Sequence, residues 1–148
     1  MAYWDTSALV KLYVDESDSL RYRQILSESN EDVHTSILTL AELYKTFWEK
    51  SVDRVLSAAG PDALMQRISE EAEMGRIQFV ACDRQLLVHF HKVIGNCYSR
   101  PEPVRIRSAD GIHLASARSI SAGEIVCADK RMRAAAGLLG FGLLPPTL

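Results

Sequence analysis

The sequence is poor in the residues that mark special classes of protein. Its three cysteines, Cys82, Cys97 and Cys127, show no C-x-x-C spacing, which excludes a disulfide scaffold and argues against zinc ligation. The five prolines and eight glycines form no repeat or low-complexity tract. No apolar run approaches the roughly 20 residues of a membrane span, and an acid at position 5 is not typical of a signal peptide. We therefore expect a cytoplasmic protein with free thiols and no membrane partner.

The net charge of −2 is small, but the charges are unevenly distributed. Residues 1–75 carry 7 basic and 14 acidic side chains, whereas residues 76–148 carry 10 basic and 5 acidic ones. The small total argues against a protein that coats nucleic acid, while the basic half permits a local surface that binds phosphate. An apolar fraction of 47% and a length of 148 residues are typical of one globular domain, residues 1–148.

Hydrophobic patterns predict strands that alternate with helices. The strands are expected at Met1–Trp4, Val33–His34, Arg76–Ala81, Glu124–Ala128 and Phe141–Leu144. The helices are expected at Ala8–Val14 (with Ser7 as its cap), Ser17–Ser27, Ile37–Ser51 (capped by Ser36), Asp53–Met74 (broken at Gly60-Pro61), Asp83–Cys97, Ser108–Ile120 and Lys130–Leu139. This alternation predicts an α/β fold in which a parallel sheet of four to five strands is covered by helices on both faces.

Acidic residues fall where such a sheet places its ligand site. Asp5 and Asp129 follow two predicted strands, at the carboxyl edge where open parallel sheets bind ligands. Glu42 and Asp110 lie within apolar helical patterns, where an unpaired carboxylate is costly to bury. Four converging carboxylates repel one another unless a divalent cation relieves the repulsion, and all-oxygen ligation selects Mg²⁺ or Mn²⁺. Such a cation activates water for attack on a phosphodiester.

Each acid also has a simpler interpretation. Asp5 and Asp129 suit helix caps. Glu42 suits a solvent-facing position or an ion pair within its own helix. Asp110 suits the first turn of a helix, where the helix dipole favours a negative charge.

Two further features have interpretations that are not catalytic. His113, one turn after Asp110, suits core packing with a satisfied ring nitrogen more than metal binding. The helical stripe formed by Tyr44, Phe47 and Trp48 suits either the core or a face for a partner.

Four motifs, in order, carry a resemblance to a known family. They are Trp4-Asp-Thr-Ser-Ala-Leu-Val-Lys, Leu40-Ala-Glu-Leu, Ala109-Asp-Gly-Ile-His-Leu-Ala-Ser-Ala and Cys127-Ala-Asp-Lys-Arg-Met. Together they resemble the PIN-domain ribonucleases, especially the toxin subunits of the VapBC toxin–antitoxin type. The resemblance runs across essentially the whole chain, although residues 53–104 match no motif. Gly111 stands where the family often has Ala.

The resemblance implies a PIN-like fold and an endoribonuclease that uses Mg²⁺ or Mn²⁺ to hydrolyse RNA, with tRNA among its substrate class. It implies a metal pocket of Asp5, Glu42, Asp110 and Asp129, in which Ser7 orients a ligating carboxylate or the metal-bound water. It also implies a cognate antitoxin that blocks the site, and a homodimer. The alternative is a PIN fold retained as a non-catalytic binding or scaffold subunit.

Basic residues near the acids are candidates for contacts with RNA phosphates, although each also suits an ordinary surface charge. These candidates are Lys11, Arg105, Arg107, Lys130, Arg131 and Arg133.

Overall fold

The chain folds into an α/β structure. The structure is a computed structural model that describes residues 1–56 and 60–148. Within these residues there are five strands, β1 (Ala2–Trp4), β2 (Val33–Ser36), β3 (Ile77–Val80), β4 (Glu124–Val126) and β5 (Gly142–Leu144). The seven helices described are α1 (Thr6–Tyr13), α2 (Ser19–Ser29), α3 (Leu38–Val52), α4 (Gly60–Glu73), α5 (Leu86–Tyr98), α6 (Ser108–Ser119) and α7 (Lys130–Leu138).

The strands form one parallel sheet in the order β3-β2-β1-β4-β5. The central strand is β1, whose Tyr3 pairs with His34 of β2 on one side and with Ile125 of β4 on the other. The chain first extends the sheet on one side of β1 and then crosses to the other side. A crevice therefore opens at the carboxyl ends of β1 and β4, the point where the direction of winding reverses.

Apolar residues cover both faces of the sheet. Along β1, Ala2 and Trp4 pack into the core beneath α1–α4, whereas Tyr3 packs into the core beneath α5–α7. Along β4, Ile125 and Val126 divide between the two cores in the same way. Side chains alternate in direction along a strand, so a strand with two covered faces has to be apolar at every position. The predicted fold class is thus confirmed.

The structure corrects several details of the prediction. Helix α1 begins at Thr6, and its cap is Asp5, whose carboxylate accepts a hydrogen bond from the Ala8 backbone N–H at 3.0 Å; the prediction that Ser7 caps this helix was wrong. Residues 53–56 form a turn rather than the start of a long helix, and α4 begins at Gly60. The part of that predicted helix at 57–59 lies outside the described residues.

None of the helices that the structure describes is long and apolar enough to cross a bilayer.

Candidate active site

A cavity of about 290 Å³ opens at the carboxyl ends of β1 and β4. All four predicted acids line it, although they come from four separate segments of the chain. Asp5 follows β1, Glu42 lies on α3, Asp110 lies in the first turn of α6, and Asp129 precedes α7. The remaining lining includes Thr6, Ser7, Lys45, Arg107 and His113. We refer to this cavity as the acidic pocket.

Asp5 is held on several sides at the floor of the pocket. It is 4% exposed. Its two carboxylate oxygens lie 2.8 and 2.9 Å from the hydroxyl of Ser7, and the thiol of Cys127 lies 3.1 Å from Oδ2. Burial raises the pKa of the Asp5 carboxyl, and the nearby charge of His113 and the hydrogen bonds oppose that rise. A positive charge in the pocket would favour the ionised carboxylate.

Ser7 joins the ends of the two central strands. Its hydroxyl donates to Asp5 and accepts hydrogen bonds from the backbone N–H groups of Ala128 (2.9 Å) and Asp129 (3.2 Å). The segment after β4 is thereby fixed against the segment after β1. Ser7 therefore helps to set the separation between Asp5 and Asp129.

Glu42 is held by a chain of side chains that reaches into the core. Its Oε2 lies 2.7 Å from Nε2 of His113 and also accepts a hydrogen bond from the hydroxyl of Thr6. On the other side of the ring, Nδ1 of His113 lies 2.8 Å from the hydroxyl of Tyr3, which accepts the backbone N–H of Ser36. With a neutral ring, the Nε2–H tautomer lets Tyr3 donate to Nδ1 and lets His113 donate to Glu42.

The surroundings of Glu42 favour its ionised form. Burial alone would raise the pKa of the Glu42 carboxyl, but the hydrogen bonds from His113 and Thr6 outweigh burial and lower it. The alternative of an ion pair within the helix is not observed, because Lys45 pairs with Glu49 at 2.7 Å. His113 is buried as expected, at 3% exposed, yet its role extends beyond core packing because one ring nitrogen faces the pocket.

Asp110 and Asp129 share a partner, Arg107. Nη2 of Arg107 lies 3.1 Å from Oδ1 of Asp110 and 3.2 Å from Oδ2 of Asp129. The hydrogen bond with Asp110 and the charge of that carboxylate raise the pKa of the Arg107 guanidinium. Asp129 also caps α7, because its Oδ1 accepts the backbone N–H groups of Arg131 and Met132. Capping therefore uses one oxygen of Asp129 and leaves the other to face the pocket.

The donor atoms of the pocket suit a hard divalent cation. Carboxylate and hydroxyl oxygens are the ligands that Mg²⁺ and Mn²⁺ prefer, and the pocket lining supplies both kinds. In the arrangement observed, however, no group of three or more His, Cys, Asp or Glu within residues 1–56 and 60–148 is placed to hold a metal ion. Each carboxylate is instead satisfied by a protein donor. The residues therefore fit a metal, but in this arrangement protein groups occupy their ligating oxygens.

The six basic candidates separate into three groups. Arg105, Lys130 and Arg131 are exposed, and they flank Asp110 and Asp129 in sequence. Lys11 and Arg133 are each 8% exposed and are engaged elsewhere. Lys11 pairs with Glu16 and Asp18, and Arg133 donates to the backbone carbonyls of Cys127 (2.9 Å) and Pro145 (2.7 Å). The sixth candidate, Arg107, lies in the pocket itself.

A larger cavity, of about 450 Å³, lies away from this site beside the amino ends of β2 and β3. Its charged lining includes groups that already pair with one another: Arg67 binds Glu71 at 3.0 Å, and the hydroxyl of Tyr13 donates to the same carboxylate. This cavity is larger than the acidic pocket, but size alone does not identify a catalytic site. Convergent polar chemistry is the better guide to a catalytic site, and that chemistry is found in the acidic pocket.

Comparison with known proteins identifies the family of this chain. A family model described as PIN domain matches residues 2–138. The chain belongs to the PIN domain family. This PIN domain is 29% identical over 147 residues to ribonuclease VapC46 of Mycobacterium tuberculosis (strain ATCC 25618 / H37Rv), and the match covers 98% of this chain and 97% of that protein. The resemblance that the four motifs carry is thus confirmed.

Two solved structures share the PIN fold. FitAcB from Neisseria gonorrhoeae matches with a TM-score of 0.68 and 20% identity, covering 99% of this chain and 98% of that one. FitAB bound to an IR36 DNA fragment matches with a TM-score of 0.65 and 19% identity, covering 99% of this chain and 95% of that one. The likeness extends across the whole chain, including residues 53–104, which match no motif. At these identities it concerns the fold alone.

Proposed function

We propose that this PIN-domain protein is an endoribonuclease that hydrolyses RNA phosphodiester bonds with Mg²⁺ or Mn²⁺, as the toxin of a toxin–antitoxin pair. The observation that carries the proposal is the convergence of four carboxylates, from four separate segments, on one open pocket. The near full-length similarity to a ribonuclease supports the reaction class. We place the activity in the cytoplasm and treat residues 1–148 as one domain.

The residues that would hold the cation are Asp5, Asp110 and Asp129, with Glu42 beside them. When bound, Mg²⁺ or Mn²⁺ supplies a Lewis acid that lowers the pKa of water and stabilises charge on the phosphate. The protein orients the carboxylates in advance through Ser7 and the two helix caps. Groups fixed before substrate arrives need little rearrangement during the reaction, which is what electrostatic catalysis requires.

RNA would approach this edge of the sheet through its phosphates. Arg105, Lys130 and Arg131 are exposed on the segments that carry Asp110 and Asp129, so they are suited to hold the strand beside the pocket. Phosphate contacts of this kind position a nucleic acid without reading its sequence. The substrate class that the family resemblance suggests is structured RNA such as tRNA.

The same resemblance supports two protein partners, a cognate antitoxin and a second copy of the chain. The aromatic stripe on α3 is divided in the structure. Phe47 is fully buried, whereas Tyr44 and Trp48 are 42% and 47% exposed and pack edge to face on each other. Part of the stripe therefore belongs to the core, and the exposed pair is available to a partner.

The test is cleavage of labelled RNA by purified protein free of antitoxin, with Mg²⁺, with Mn²⁺ and with a chelator. Asp110→Asn should lower the cleavage rate by about 100-fold or more, because it removes a ligating charge at nearly unchanged volume. Asp32→Asn is the matched control, since Asp32 is exposed and lies before β2, remote from the carboxyl edge of the sheet. Equal activity of Asp110→Asn would contradict the site. Inactivity of the wild type on total cellular RNA would favour the non-catalytic scaffold.

A further inference from the structure

We propose that Arg107 is a built-in counter-ion of the acidic pocket, which a divalent cation displaces and which then binds an RNA phosphate. The inference rests on the proposed function, because it concerns the same pocket. It assigns to Arg107 two successive partners, first carboxylate and then phosphate. It therefore predicts that metal and nucleic acid bind cooperatively through this one side chain.

The geometry places the guanidinium where a metal would bind. Arg107 contacts oxygens of both Asp110 and Asp129, at 3.1 and 3.2 Å, and its Nε lies 3.3 Å from the second oxygen of Asp110. These carboxylates are also proposed metal ligands. A guanidinium and a divalent cation cannot share the same lone pairs at full strength. The arrangement observed is thus one in which protein nitrogen atoms neutralise the pocket.

The exposure of the three side chains shows that Arg107 can leave without opening the core. The Arg107 side chain is 59% exposed, whereas the side chains of Asp110 and Asp129 are 6% and 29% exposed. The guanidinium therefore lies at the mouth of the pocket and its partners lie deeper. The guanidinium is mostly exposed to solvent, which screens its attraction to the two carboxylates and weakens its hold on the pocket. A divalent cation held by several carboxylates outcompetes it.

The backbone keeps Asp110 in place when the Arg107 side chain moves. Oδ2 of Asp110 accepts the backbone N–H of Arg107 at 3.0 Å, and the Gly111 N–H donates to the Arg107 carbonyl at 3.0 Å. Both contacts are independent of the guanidinium. Removing the side chain thus leaves the start of α6 capped. It removes a competing cation but no ligand.

The released guanidinium suits a phosphate. Its planar array of donors matches phosphate oxygens as well as carboxylate oxygens, and Arg107 lines the pocket two residues after the exposed Arg105. Displacement by metal would therefore supply a phosphate-binding group at the place where the scissile strand lies. By linkage, a metal that improves phosphate binding is itself bound more tightly when phosphate is present.

The test is calorimetric titration of Mn²⁺ into the wild type, Arg107→Ala, Arg107→Lys and the control Arg76→Ala, without RNA. Arg107→Ala should bind Mn²⁺ roughly threefold to tenfold more tightly than the wild type, because the ion pairs of Arg107 with Asp110 and Asp129 no longer have to be broken. Arg107→Lys should fall between the two. Arg76→Ala should match the wild type, since Arg76 is exposed and precedes β3, at the edge of the sheet opposite the pocket.

A second titration follows a short fluorescent single-stranded DNA, which is a phosphodiester probe lacking the 2′-hydroxyl. Mn²⁺ should strengthen the binding of this probe to the wild type and to Arg76→Ala, and should do so less for Arg107→Ala. Equal or weaker Mn²⁺ binding by Arg107→Ala would overturn the counter-ion role while leaving the proposed function intact. If neither the wild type nor any variant binds Mn²⁺, the proposed function fails and this inference fails with it.

Discussion

Two glycines on neighbouring helices differ in what surrounds them, and alanine substitution should affect them in opposite directions. A methyl group at Gly95, in α5, would have open space around it. A methyl group at Gly111, in α6, would lie 2.7 Å from Cε2 of Phe90 and 3.3 Å from Cδ1 of Ile94. The 2.7 Å distance to Phe90 is shorter than two carbon atoms tolerate, and the 3.3 Å distance to Ile94 is a tight contact. The departure of Gly111 from the alanine common in the family is thus explained by Phe90.

The magnitudes follow from two opposing effects. In a helix, alanine is favoured over glycine by about 1 kcal/mol, and this gain applies at both positions. Overpacking a core typically costs about 1–3 kcal/mol, and this loss applies only at Gly111. Gly95→Ala should therefore raise the free energy of unfolding by about 1 kcal/mol, which is about 2–4 °C in Tm for a chain of this size. Gly111→Ala should be neutral or destabilised by up to about 2 kcal/mol.

Denaturant unfolding of the two variants and the wild type measures the difference. A third variant combines Gly111→Ala with Phe90→Leu, which makes room for the methyl group. The free energy of unfolding that Gly111→Ala loses should be partly recovered in this variant, which is a favourable coupling between the two substitutions. The reasoning is refuted if Gly111→Ala is as stabilising as Gly95→Ala. Because Gly111 directly follows Asp110, the same variant also tests how tightly packing between α5 and α6 fixes that carboxylate.

The remaining predictions concern hydrogen bonds and charges. His113→Gln should lower the free energy of unfolding by about 2 kcal/mol, because it disrupts hydrogen bonds to Glu42 and Tyr3. The control His91→Gln should leave it unchanged, since His91 is exposed. Equal unfolding midpoints for the two variants would contradict this prediction. Arg131→Ala should flatten the salt dependence of RNA binding. Arg133→Ala should instead lower the free energy of unfolding by about 2–4 kcal/mol, since the guanidinium of Arg133 donates to buried backbone carbonyls. An unchanged salt slope for Arg131→Ala would remove it from the RNA surface. Burial would raise the pKa of the half-buried Glu16, but Lys11 and Lys50 lower it below its ordinary 4.5. Ionised Glu16 therefore adds to the free energy of unfolding above pH 4.5, and this stabilisation is lost as the pH falls through the folded-state pKa. Glu16→Gln should thus cost about 0.5–1 kcal/mol at pH 7 and almost nothing below the folded pKa, and a pH-independent difference would refute the assignment.

Hydrophobic pattern and residue spacing were enough to predict the order of elements and the parallel sheet. The reason is that β1 and the Ile125–Val126 part of β4 are covered on both faces and so are apolar at each of those positions. The placement of Asp5 and Asp129 at the carboxyl edge followed from that topology alone. These inferences need only local sequence and the handedness of strand connections.

Partners distant in sequence could not be predicted in this way. Ser7 suits a cap by local rules, but its hydroxyl binds Asp5 and the backbone 121 and 122 residues further on. His113 suits the core, and its approach to Glu42 depends on how α3 and α6 are packed. The burial of Arg133 could not be predicted from local sequence either, because it depends on a hydrogen bond to the backbone carbonyl of Pro145. For His113, the available clue to its place beside the acidic pocket was its i, i+3 spacing from Asp110, which puts both side chains on one helix face.

Anomalous diffraction from crystals soaked in Mn²⁺ would test most directly whether the four acids hold a cation. A peak is expected in the acidic pocket, within ligating distance of the carboxylates of Asp5, Asp110 and Asp129, with the guanidinium of Arg107 turned away from them. Asp110→Asn crystals should lose the peak. An empty acidic pocket at a Mn²⁺ concentration that supports RNA cleavage, or a peak confined to another site, would contradict the assignment.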